Sequence, residues 1–247
     1  MRNILVKNEF AHKKGTQWRG HEVQRIEAFT DAVFAFAVTL LAVSLEVPKS
    51  FDELLETMKG FLGFAFTFAI LFVFWYRQYI FFRKYGIDDK TIIAYNGVLL
   101  CAVLFFIYPF KFMSYLIVSM VFYRSDERLH EIINVDRMPE LLSLYYFGIG
   151  LMNGTLGLMY RHALRYRQHL QLNEEEEKEA VEQYISGMLS IVLFGFMILL
   201  LFILPGYLTS FSIFPIFLLP ISTRLMKRKS FNAAKYLPPA VPPVQEA

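Results

Sequence analysis

The chain has 247 residues, 55% of them hydrophobic and only 19% charged, with 26 Phe, 14 Tyr and a mean hydropathy of +0.39. Soluble domains average about 45–50% apolar and about 25% charged residues, so a soluble globular domain, a disordered chain and a disulfide scaffold are excluded and the lipid bilayer is the expected solvent. The net charge of +3 is too small to point to nucleic acid, and the single cysteine, Cys101, lies inside an apolar block, so no intrachain disulfide is possible and a zinc cluster is not expected.

In chain order, residues 1–24 are polar and charged with no apolar core, so they are read as a cytoplasmic segment and not as a cleavable signal peptide. Apolar blocks follow at 29–47, 61–79, 91–110, 141–159, 184–204 and 207–221. A helix needs about 20 such residues to cross the hydrocarbon. The last block is shorter and holds Pro215 and Pro220; it is read as a kinked sixth span, with a re-entrant segment as the alternative. Nineteen Lys and Arg fall on the side of the N-terminal segment, the second-to-third and fourth-to-fifth connections and the tail, against five on the other side, with Lys111 at a span end. The positive-inside rule then puts both termini in the cytoplasm and Trp75, Tyr76 and Tyr79 at the inner interface. Asn173 followed by four glutamates at 174–177 reads as an N-cap with Glu176 closing a capping box, starting a helix that runs into the fifth span. The acidic run is taken as a solvated helix start, with a cation or partner site as the alternative. The proline-rich tail, 230–247, is expected to be disordered. The expected fold is an all-α polytopic membrane protein: six transmembrane helices over 25–229, flanked by two cytoplasmic segments.

No nucleophile, acid pair or metal-ligand set converges in any one region, and no Gly-rich phosphate loop, GxSxG or HExxH occurs. An enzyme is therefore not expected, nor a cofactor. The five histidines lie outside the apolar cores; His162 and His169, beside Arg161, Arg165 and Arg167, read as a basic interface anchor and not as a metal site. No span carries the repeated arginines of a voltage sensor, and a TVGYG-type filter is absent.

The first span is the informative one. Asp31 sits just inside its apolar block, where an acid costs about 2.5–3.5 kcal/mol on insertion scales and less near an interface. Arg25, six residues earlier, is about 600° around the helix and so points some 120° away; each group is expected to bond to other spans. Phe29, Ala32, Phe36, Thr39, Val43 and Glu46 follow alternating steps of three and four, which is a heptad seam. Such a seam faces either an axis shared by identical subunits, with Glu46 as a cation-attracting ring at the outer mouth, or a helix of the same subunit. Spacing does not choose between them.

Arg25-x-x-x-Phe29-Thr30-Asp31, followed by a small and apolar run containing Thr39, resembles the R-x-x-x-F-[ST]-D signature of the transmembrane protein 175 family of potassium channels, in its bacterial form with one six-span repeat. Trp75 and Pro109-Phe110 are weaker echoes. The resemblance implies a homotetramer in a prokaryotic cell membrane whose first spans line a central pore. K⁺ would pass apolar constrictions there, without a carbonyl filter, and the partners would be K⁺, the lipid bilayer and other copies of the chain. It further implies that Phe36, Thr39 and Val43 face the pore, and that Arg25, Phe29, Thr30 and Asp31 belong to a network holding the first span against its neighbours. Two residues depart from the pattern. Phe36 stands where Ile or Leu is usual, and Arg77 and Gln78 stand where a histidine often follows the second-span Trp. The rival readings are a proton-coupled or small-solute transporter using Asp31, and a non-conducting scaffold packed through Gly150-x-x-x-Gly154.

Overall fold

The computed structural model describes residues 18–20, 22–42, 48–122, 137–204, 212, 215 and 233–241. They form five helices, α1 (Arg25–Ala42), α2 (Phe51–Tyr85), α3 (Lys90–Phe122), α4 (Met138–Arg165) and α5 (Glu174–Ile203), with a short 3-10 turn at Ala233–Tyr236 and no strand among the described residues. Val43, Glu46 and nearly all of the 207–221 block lie outside the described residues.

Four of the helices, α2 to α5, are long and apolar enough to cross a membrane. The described part of α1 is not among them, because its 18 residues include Arg25, Glu27 and Asp31. The helices outrun the expected spans. At 1.5 Å per residue the 35 residues of α2 extend about 52 Å, well beyond a hydrocarbon core of about 30 Å. The extra turns come from polar helix formers outside the apolar block. Ser50 caps the start of α2 by accepting from the Glu53 N–H, and Gly86 ends it with a left-handed φ of 60° that an L side chain would strain. Helix α3 runs through Pro109, where the sequence suggested an end at 110. Hydroxyl groups gather at that break: Tyr145 Oη donates to the Pro109 carbonyl at 2.5 Å, and the Thr67 and Ser114 hydroxyls, one of which donates to the other, each lie 3.1 Å from the Phe110 carbonyl. Such partners allow a proline inside an apolar helix.

Helices α4 and α5 make the most extensive pair. Small residues set how near they come: a Cβ on Gly187 would sit 2.6 Å from Gly157 Cα, and one on Gly154 would meet Ile191. Gly150 and Gly154 are therefore used within the subunit, against Phe194 and Ile191 of α5. Asn173 and Glu176 form the expected capping box at the head of α5, but Glu176 is buried, not solvated. Its carboxylate takes both terminal nitrogens of Arg19, at 3.1 and 2.8 Å, while Arg19 Nε donates to the Leu170 carbonyl at 2.6 Å. Lys84 pairs with Glu179, and His162 with Asp89 at 2.7 Å. Residues 233–241 of the tail depart from the disorder expected of 230–247. The Val241 N–H donates to the Arg165 carbonyl at 2.8 Å, and Arg167 donates to the Pro238 carbonyl at 2.6 Å, so this stretch lies against the end of α4.

Because the nearest atom to a Cβ at Gly187 is backbone, Gly187→Ala is expected to lower stability by about 1–3 kcal/mol through overpacking. Gly195, on the same helix, has open space around its Cα, so Gly195→Ala should raise stability by about 0.5–1 kcal/mol. Thermal unfolding of both variants in detergent micelles checks the pair, and equal shifts would contradict the packing described.

Candidate functional site

Helix α1 lies on α2 and α3, and its two faces differ sharply. Glu27, Thr30, Phe34, Ala37 and Leu41, again at steps of three and four, are buried. The seam noted in the sequence is the opposite face: Phe29 and Phe36 are 61% and 57% exposed, and Ala32 and Thr39 are exposed between and beyond them. Among the described residues of one subunit this seam packs on nothing. The Thr39 hydroxyl donates to the Phe36 carbonyl at 2.7 Å, which occupies its proton and leaves its oxygen lone pairs facing away from the helix.

The buried face is anchored by a relay of polar groups. Thr30 Oγ1 donates to the Ile26 carbonyl at 2.7 Å and accepts from Asn96 Nδ2 of α3 at 2.9 Å. Asn96 Oδ1 in turn accepts from Gln78 Nε2 of α2. Beside it, Trp75 Nε1 of α2 donates to Asp31 Oδ1 at 2.7 Å. Thr30 and Asp31 thus tie α1 to both neighbouring helices. Arg25 is exposed and joins no hydrogen bond or ion pair with the described residues, and Phe29 points away from the relay. Of the two departures from the family pattern, Arg77 is engaged by Asn153 of α4 at 2.5 Å, while Gln78 enters the relay. Glu27, ahead of the apolar run that opens at Phe29, accepts from the Gln24 N–H at 3.3 Å.

A chain of ring contacts runs along α2 beside α1, from Phe61 through Phe64, Phe68 and Phe72 to Trp75 and Tyr79, with centroids 5.3–6.1 Å apart. Between this ladder and α1 lies an apolar groove of about 380 Å³ with Asp31 and Trp75 at one end. Trp18 meets Tyr79 edge-on, so the segment before α1 seats on the same helix.

Asn96, Glu27 and Arg19 were not picked out from the sequence, and Gln78 was noted only as a departure from the family pattern, with no partner assigned. Gln78 and Asn96 are uncharged amides inside apolar blocks, and an amide that needs a partner in hydrocarbon is the signal that would have found them.

A helical membrane protein in which one charged, amphipathic helix is clamped on one face and bare on the other is the class this arrangement defines. Residues 25–107 match the family described as "Endosomal/lysosomal potassium channel TMEM175". A protein of Marivirga tractuosa named "Potassium channel" is 34% identical over 177 residues, 70% of this chain and 72% of that protein. The chain superposes with a TM-score of 0.77 and 30% identity on the crystal structure of a variant of the potassium channel MtTMEM175 in complex with a nanobody–MBP fusion, over 86% of this chain and 95% of that one. A lysosomal potassium-selective channel TMEM175 homolog from Chamaesiphon minutus, at 21% identity, a TM-score of 0.50 and 83% and 97% coverage, shares the fold. The chain belongs to the TMEM175 family, which is a family of potassium channels and not of enzymes.

Asn96 is 1% exposed and bridges two partners, so Asn96→Leu leaves the Gln78 amide without an acceptor. A loss of about 1–3 kcal/mol is expected for a buried group stranded in this way. The readout is the thermal midpoint of the purified protein, and an unchanged midpoint would mean that the relay does not hold α1.

Proposed function

We propose that the protein is a potassium-preferring cation channel of a prokaryotic cell membrane, formed by four copies of the chain around an axis lined by α1. The observation that carries this reading is the bare seam of α1, set directly opposite its clamped stripe. A helix fixed to its own subunit through Thr30 and Asp31 and presenting Phe29, Ala32, Phe36 and Thr39 outward has the form of a pore wall that awaits its symmetry mates. Family membership and the names of the relatives support K⁺ as the ion. In this reading both termini are cytoplasmic and 207–221 supplies the sixth span.

Conduction would need no covalent step, only partial dehydration. A ring of Phe36 side chains excludes water and forms a barrier that opens when the rings move. Thr39, one turn further, offers hydroxyl lone pairs in place of lost hydration, its proton being held by the Phe36 carbonyl. Val43 would form a second apolar ring and Glu46 would raise the local cation concentration at the outer mouth. Asp31 serves here as an anchor: Trp75 fixes it, and it is the one acid within the apolar part of the described α1, which favours the channel over a carrier working through that residue.

Purified protein in liposomes with an outward K⁺ gradient tests the proposal. Electrogenic flux that follows the K⁺ gradient is expected, and flux that requires a proton gradient would contradict it. Two variants then examine the seam. Phe36→Ala should raise basal flux several-fold and erode the preference for K⁺ over Na⁺. Thr39→Val should lower the preference with little gain in flux, since it removes the oxygen and keeps the volume. Bi-ionic reversal potentials separate the two, and a Phe36→Ala protein indistinguishable from the parent would place Phe36 between helices.

A further inference from the structure

Behind α1, on the clamped face and away from the seam, a cavity of about 40 Å³ lies between α1 and α2. Glu27, Thr30, Asp31, Trp75, Gln78 and Arg83 are among its lining residues. A water needs roughly 10–15 Å³ of such space, so the cavity suits one small occupant or a few waters and no organic molecule. Two of its lining side chains keep a buried oxygen that no donor of the described residues reaches: Glu27 Oε1 and Gln78 Oε1. Glu27 is 9% exposed and Gln78 0%. Buried acceptors without partners are rare and costly.

The amide of Gln78 cannot turn over to relieve this. The Thr30 proton goes to the Ile26 carbonyl, so Asn96 must present its nitrogen to Thr30 and its oxygen to Gln78. Gln78, a lining residue of the cavity, therefore offers its nitrogen to Asn96 and keeps its oxygen unpaired; the reverse would set oxygen against oxygen. Both unsatisfied atoms are acceptors, so their partner is electron-poor. The carboxylates of Glu27 and Asp31 against the guanidinium of Arg83 leave one negative charge around the cavity. Arg83 itself is directed elsewhere, donating to the Gly20 carbonyl at 3.0 Å and lying 5.7 Å over the Tyr79 ring. Water would satisfy the lone pairs and leave the charge; a single monovalent cation does both. Among the described lining residues the donors are hard oxygens with no His or Cys, which suits an alkali ion and not a transition metal.

We propose that one alkali-metal cation binds in this cavity through Glu27 Oε1 and Gln78 Oε1, bracing the start of α1 against α2 as a site separate from the conduction path. It stands apart from the channel reading, because the residues that form it face away from the seam. The chain has two tryptophans, Trp18 and Trp75, and Trp75 lines the cavity, so intrinsic fluorescence reports on it. Full-length protein in detergent is titrated with K⁺ in place of N-methyl-D-glucamine at constant ionic strength. A saturable single-site change is expected in the parent. Its midpoint should rise at least tenfold in Glu27→Gln, while Glu27→Asp, which keeps the charge, should still saturate. No saturable change in the parent, a change that follows pH and not K⁺, or an unaltered midpoint in Glu27→Gln would each overturn the site. Liposome flux from the same preparations keeps the two proposals apart. Flux without the fluorescence change removes the cation site and leaves the channel; the fluorescence change without flux does the reverse.

Discussion

A helix that carries Arg25, Glu27 and Asp31 within its first two turns cannot lie bare against hydrocarbon at that end, and the rest of the molecule is arranged around that constraint. Asp31 receives the Trp75 indole N–H, Thr30 is held through Asn96 and Gln78, and Glu27 is buried against α2 and the turn that precedes α1. All these contacts fall on one side of α1. The side chains of the seam, from Phe29 to Thr39, are apolar or singly hydroxylated and have no partner helix among the described residues. Clamp and seam are two consequences of one sequence period: buried positions and bare positions each recur at steps of three and four, half a turn apart.

The polar end of the bundle makes the clamp rigid. Arg19 reaches α5 through Glu176 and the α4–α5 connection through the Leu170 and Gln171 carbonyls, so the chain entering α1 is tied to helices that α1 scarcely touches. A buried ion pair of this kind adds little net stability over an apolar substitute, but losing one partner costs about 3–5 kcal/mol because the other charge is stranded. Its value here is placement. The N-terminal segment, the α2–α3 turn capped by Gly86, the head of α5 and the tail at Val241 all meet at this end.

Helix type and number were legible for the described part of the chain because apolar blocks of spanning length admit few other structures, and the Asn173–Glu176 capping box was legible because its spacing is local. The ends of α2 and α3 were not. Hydropathy marks where lipid contact stops, whereas Ser50 and Gly86 decide where the helix stops, and Pro109 is bridged by hydroxyls from α2 and α4 that no local reading can supply. The seam was visible as a period, yet only the burial of Thr30, Phe34 and Ala37 says which stripe faces inward. Asn96, and the role of Gln78, were not legible because an uncharged amide inside an apolar block carries little hydropathy signal, although it too needs a partner in hydrocarbon. The burial of Glu176 depended on Arg19, 157 positions away.

The central claim, that the bare stripe of α1 lines an ion path, is tested most directly by a thiol placed on it. With Cys101→Ser as background, Thr39→Cys channels are recorded under a K⁺ gradient before and after Cd²⁺ is added. Thiolates converging on an axis bind a soft cation tightly, so the K⁺ current should fall to near zero and return when the metal is chelated. A K⁺ current unaffected by Cd²⁺, in a protein whose introduced thiol still reacts with a small maleimide, would show that position 39 does not face the path and would contradict the account.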